Sequence, residues 1–82
     1  MIRELDGVVL THDIEDWGLK RGDVGAVVHV YGEGSAYEVE FVTADGHTAA
    51  LLTLEPTDVR PMSGEEILHV RPLAKREPAG SL

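Results

Sequence analysis

The chain contains no cysteine. That single absence removes a disulfide framework, a thiolate zinc site and a cysteine nucleophile together. Long apolar runs are missing too: nothing approaches the ~20 residues that a membrane helix needs. The opening Met1-Ile2-Arg3-Glu4-Leu5-Asp6 lacks the basic segment and apolar stretch of a secretory signal. A cytoplasmic location without a membrane span is therefore expected.

Basic residues are the next scarcity. Seven Lys and Arg stand against fifteen Asp and Glu, giving a formal net charge of -8. The imbalance sits in residues 1–60, which hold twelve acids and four bases, whereas residues 61–82 hold three of each. An acidic surface repels phosphate backbones and cannot gain affinity by releasing their counterions, which disfavours nucleic acid and favours a protein partner with a basic surface. The same charge also serves plain solubility.

Eighty-two residues make one domain. A chain of that size buries only ~60–65% of the surface its unfolded form exposes, so its core must be single and tight. A small barrel fills its interior with its own side chains and leaves little room for a catalytic cleft.

Short apolar runs with a period of two recur between turn residues, and no long period of 3.6 does. The spacing predicts strands at Gly7–Thr11, Val24–Tyr31, Tyr37–Val42 and His47–Leu54. In the third, Tyr37, Val39 and Phe41 alternate with Glu38 and Glu40, so one face is apolar and the other acidic. Gly32-Glu33-Gly34-Ser35 and Ala44-Asp45-Gly46 supply the turn residues for two antiparallel hairpins. Ala and Leu in the fourth run also favour helix.

Glu55-Pro56-Thr57-Asp58 breaks the pattern at a length suited to one helical turn, and Val59-Arg60 resumes it to close the barrel. Residues 12–23 read as one long connection anchored by Ile14, Trp17 and Leu19, with Gly22 and Gly25 turning the chain into the second strand. The organisation is thus a barrel domain over 1–61, an extension over 62–73 that is a short strand or a helix, and a mobile tail over 74–82. Asp58-Val59-Arg60-Pro61-Met62 is echoed by His69-Val70-Arg71-Pro72-Leu73, which tilts the extension toward an extended run.

Chemistry-bearing constellations are few. His12, His29, His47 and His69 are separated by 17, 18 and 22 residues, a spacing that fits no local metal-ligand motif. Glu38 and Glu40 would lie about 6–7 Å apart on an outward strand face, where solvent keeps carboxylates from acting as general acids. Ser35, Ser63 and Ser81 fall in turn or tail segments without a nucleophile-elbow context. Gly22-Asp23-Val24-Gly25 lacks both the dinucleotide fingerprint and the P-loop lysine. No catalytic residue, cofactor site or metal site is named.

Binding is what remains. Trp17 either covers the open end of the barrel or projects as an anchor for a partner. Tyr31 and Tyr37 flank the first hairpin turn, with Tyr37 packing inward. Trp17, Tyr31, Glu38 and Glu40 are the candidate partner-binding residues.

The order Leu5–Ile14, Leu19–Tyr31, Tyr37–Phe41 and Leu54–Pro61 resembles a bacterial family of small proteins known as domain of unknown function 4926, over about residues 2–61. The resemblance implies a bacterial cytosolic protein and supports an all-β, SH3-like, partly open barrel of about five antiparallel strands. It carries no activity and no catalytic residues. The reading is a non-catalytic protein-interaction module, either an acidic neutralising partner of antitoxin type or an accessory subunit. The alternatives are a nucleic-acid-binding barrel of the SH3-like or KOW type and a small metal-binding or enzyme domain. Strand edges, and the run around Ile67–Val70, also offer a route to homo-oligomers.

Overall fold

The computed structural model describes residues 1–73; the tail expected over 74–82 lies outside the described residues. Five strands form one antiparallel sheet: β1 (Gly7–Leu10), β2 (Val24–Tyr31), β3 (Ala36–Val42), β4 (Thr48–Leu54) and β5 (Val59–Pro61). Their order is β4-β3-β2-β1-β5, so consecutive strands lie side by side until β5 crosses back to the far side of β1. The sheet is open between β4 and β5, and the domain is all-β as its alternation predicts.

Alternation decides which side each residue serves. On β3, Tyr37, Val39 and Phe41 are buried while Glu38 and Glu40 are half-buried on the opposite face. Pairing carries that assignment across the sheet: Tyr37 opposes Leu54 and Phe41 opposes Ala50, all inside. β4, despite its Ala and Leu content, is a strand because β3 gives it a ladder and its Ala50 and Leu54 a core to enter. Leu10 and Val59 pair at the end of β1, both buried, so Val59 seats β5 as the edge strand of an open sheet and does not close it into a barrel. The first hairpin closes at Gly34, whose φ of 101° an L-residue would resist.

Three details differ from the sequence-based expectation. Glu55–Asp58 forms a hydrogen-bonded turn, with the Asp58 amide donating to the Glu55 carbonyl at 2.9 Å, and no helix. Gly25 lies buried inside β2 and turns nothing; a side chain is excluded there because a Cβ would stand 2.6 Å from Val39 Cγ1 and 2.9 Å from Phe41 Cε1. The extension over 62–73, expected as a short strand or helix, is neither: it runs back over the sheet as a strap with one hydrogen-bonded turn at Ser63–Glu66.

The long β1–β2 connection is more ordered than a loop. Glu15–Trp17 make a single 3-10 turn, and Ile14 and Leu19 form an isolated antiparallel bridge around it. Leu19 is buried in the core, and Ile14 packs against it. Trp17 rides on the turn, 38% exposed.

Candidate functional site

The outward face of β2, β3 and β4 begins with a bulge. Val27 opposes Val39 and His29 opposes Glu38, so Val28 is an extra residue in β2. After it, His29 and Tyr31 point outward while Val30 packs against the core. Tyr31 thereby sits diagonal to Glu38, and its hydroxyl donates to Glu38 Oε1 at 3.1 Å. Thr53, directly opposite Glu38 on β4, donates to the same oxygen at 2.7 Å.

Glu40 lies one pleat further along, opposite Leu51, and accepts a 2.5 Å hydrogen bond from the Thr48 hydroxyl. The His29 ring meets Tyr31 edge-on, with centroids 4.6 Å apart, and its Nδ1 is 3.6 Å from Glu4 Oε2. Threonine and tyrosine hydroxyls thus hold the two glutamates in fixed positions on a half-exposed sheet. The sheet register unites three of the predicted residues, Tyr31, Glu38 and Glu40. Trp17 belongs to a different element, the Glu15–Trp17 turn.

Other acids have structural work that sequence reasoning missed. Asp6, Asp23 and Asp58 each accept a hydrogen bond from the backbone amide three residues earlier, on Arg3, Lys20 and Glu55, all at 2.8 Å. In return their own amides donate to the carbonyls of those same residues. Each such turn is closed reciprocally and delivers the chain into the first residue of β1, β2 or β5. Glu66 repeats the device on Ser63. The readable signal was an Asp immediately before a strand. These acids cannot be counted as freely placed surface charge.

At the opposite edge, His12 and Asp58 tie the end of β1 to the β4–β5 turn. Nε2 of His12 is 2.7 Å from Asp58 Oδ1, and Nδ1 is 2.8 Å from the Asp13 carbonyl. Both ring nitrogens face acceptors, so the ring donates from both when it carries its second proton. The Asp58 hydrogen bond, followed by the Asp13 carbonyl, raises the His12 pKa above its ordinary 6.5. Burial alone would push the Asp58 carboxyl up, but the His12 and Glu55 hydrogen bonds outweigh it and leave it lowered.

The signs follow from linkage. The His12 contribution is complete below pH 6.5 and fades as pH rises through the raised folded value. The Asp58 contribution is present above the ordinary carboxylate range and fades as pH falls through its lowered value. An NMR titration of the His12 ring should therefore give a midpoint above 6.5 that drops in Asp58→Asn. An unchanged midpoint in the variant would show that the pair does not form.

Among the described residues no three or more His, Cys, Asp or Glu side chains cluster closely enough to hold a metal ion. His12, His29 and His47 are dispersed, each beside a different acid: Asp58, Glu4 and Asp45. Among the described residues no helix is long and apolar enough to cross a membrane. Neither a curated protein nor a solved structure matches the chain. The model of one protein family, the domain of unknown function DUF4926, matches residues 4–61, from just before β1 to the last residue of β5, and the chain belongs to that family.

Proposed function

We propose that this domain is a non-catalytic protein-interaction module whose Tyr31–Glu38–Glu40 face takes the basic surface of another protein. It acts there as an acidic neutralising partner or as an accessory subunit. The observation that carries the reading is the hydroxyl-braced carboxylate pair: Glu38 and Glu40 share one sheet face with the exposed edge of Tyr31 and with Leu51. Aromatic and apolar surface beside fixed negative charge is a composition that suits a protein partner, with the carboxylates steering the encounter. The net charge of -8 supports the same preference.

The test is capture from native lysate on the immobilised chain, compared with a Glu38→Gln, Glu40→Gln double variant at low and high salt. Removing both carboxylates should weaken capture of the partner by at least about tenfold, or ~1.4 kcal/mol. High salt should weaken the wild-type interaction in the same direction. Recovery of the same proteins by both chains, or of none by either, would sink the reading.

Nucleic-acid binding has less to stand on. Lys20 and Arg21 are the adjacent bases of the β1–β2 connection, and Lys20 Nζ already lies 3.9 Å from Asp13. Titration with single-stranded and duplex oligonucleotides at low salt should show no binding. Micromolar, salt-sensitive binding would replace the protein reading with this one.

A further inference from the structure

Residues 62–73 return across the outward side of β1 and β2 without joining the sheet. Met62 donates one backbone hydrogen bond to Gly7 at 3.3 Å, and among the described residues no backbone hydrogen bond follows it onto a strand. Two arginines fix the strap instead. Arg60 at the end of β5 forks onto Glu66 at 3.0 and 2.6 Å, holding the strap's near end and lowering the Glu66 pKa to about 2. Arg71 holds the far end.

The Arg71 seat is built by the β1–β2 connection. Nε donates to Asp23 Oδ1 at 2.9 Å, one terminal nitrogen donates to Asp23 Oδ2, and the same nitrogen donates to the Gly18 carbonyl at 3.0 Å. The Asp23 side chain is only 19% exposed. It is also fixed without Arg71, because the Lys20 amide donates to it at 2.8 Å. Burial pushes its carboxyl up, yet the hydrogen bonds from Arg71 and the Lys20 amide prevail and hold it below the usual range. Asp23 and Gly18 lie within the matched residues 4–61; Arg71 lies beyond them.

Between the strap and the sheet runs a groove of about 560 Å³, walled by Val9, Leu19, Val24, Val42 and Ala49. The strap spans it without filling it. Ile67 and Val70 lie along the groove yet are 94% and 91% exposed, so these strap side chains bury almost none of their apolar surface. Val24 and Val42 of the wall, like the strap's apolar side chains, remain exposed, and the far end is held by one guanidinium. Such an arrangement is weakly committed, because little apolar area would be lost on release.

We infer that this groove, with Asp23 and the Gly18 carbonyl at its end, is a docking site for an extended segment of another polypeptide that carries an arginine flanked by apolar residues, and that the strap is its internal competitor. The charge of the seat selects a cation. Its geometry, two carboxylate oxygens and one carbonyl around a planar fork, selects arginine over lysine. The groove borders the acidic face at Val42, two residues beyond Glu40 on β3. The inference rests on the protein-binding reading but uses different residues.

The probe is a labelled synthetic peptide with the sequence of residues 67–73, titrated by fluorescence anisotropy into the full chain and into Arg71→Ala. Since a competitor that occupies a site most of the time reduces apparent affinity by the fraction of sites left open, Arg71→Ala should bind the peptide about tenfold more tightly than wild type. The same peptide with lysine in place of arginine should bind Arg71→Ala about tenfold more weakly. Asp23→Asn in the Arg71→Ala background should remove the arginine preference, with thermal unfolding confirming that each chain is folded.

Equal affinity for wild type and Arg71→Ala, indifference to the peptide's arginine, or no binding to either chain would overturn the inference. Concentration-dependent dimerisation of wild type that Arg71→Ala abolishes would also overturn it, since the seat would then serve a second copy. Peptide failure while the Glu38- and Glu40-dependent capture persists would defeat this inference alone.

Discussion

Phe41→Ala should lower the unfolding free energy by about 3–5 kcal/mol, the cost of removing a buried ring and leaving a cavity behind. Domains are stable by only ~0.05–0.15 kcal/mol per residue, which for this length is roughly 4–12 kcal/mol in total. Phe41 is the chain's single phenylalanine, it is 3% exposed, and its ring packs against Gly25 of β2 and lies opposite Ala50 of β4. Few large side chains stand ready to collapse into its place, because the four most completely buried residues are Leu10, Val8, Val27 and Val39. Urea unfolding would read the effect as a fall in midpoint at constant slope. A midpoint within error of wild type would mean that the β3 face is not the core.

Gly25→Ala tests the opposite fault, too much volume. The added methyl would lie 2.6 Å from Val39 Cγ1 and within 3.0 Å of two Phe41 ring carbons. Val39 is fully buried and its short branched side chain has nowhere to swing, so the clash must be relieved by backbone or ring displacement. A loss of about 1–3 kcal/mol is expected. Gly7→Ala provides the control within the same sheet. Its methyl would meet only the Met62 side chain, Cε at 2.7 Å and Sδ at 4.0 Å, and that is the movable end of a flexible side chain. Gly7→Ala should leave the urea midpoint close to wild type, and equal losses at the two glycines would show that packing against Val39 and Phe41 is not what demands Gly25.

The legible part of this fold was the part written in alternation. Tyr37, Val39 and Phe41 against Glu38 and Glu40 named a strand, its core side and its acidic side, and β2 and the first hairpin turn followed from neighbouring glycines. Tyr31, Glu38 and Glu40 were singled out as binding candidates and share one face, since side chains on one strand side remain neighbours once the register is set.

What escaped was whatever depends on contacts between distant positions. The role of Gly25 required knowing that β3 side chains lie beneath it. Asp23 looked like part of a glycine-rich loop, whereas its partner Arg71 stands 48 residues away. The Arg-Pro echo did hold a hint of this pair: in both copies a terminal guanidinium nitrogen donates to the following proline carbonyl, at 3.1 Å for Arg60 and 3.0 Å for Arg71, and the rest of the fork grips an acid. In the sequence the echo pointed only to an extended run, and nothing local to it says what either arginine holds. The reciprocal aspartate turns were missed for a different reason. Their signal is local, but it is a matter of position rather than composition, and counting acids hides it.

Val28 carries a consequence of its own. Because that residue is surplus to the ladder, everything in β2 after it changes sides: Val30 is turned in, and His29 and Tyr31 are turned out. Were Val28 instead paired in an unbroken ladder, strict alternation from Val27 would drive the imidazole and the phenol into the interior, Val30 would be left in water, and Glu38 would lose its tyrosine neighbour. One unpaired position in the ladder is thus what gives this small sheet an aromatic rim beside its carboxylates.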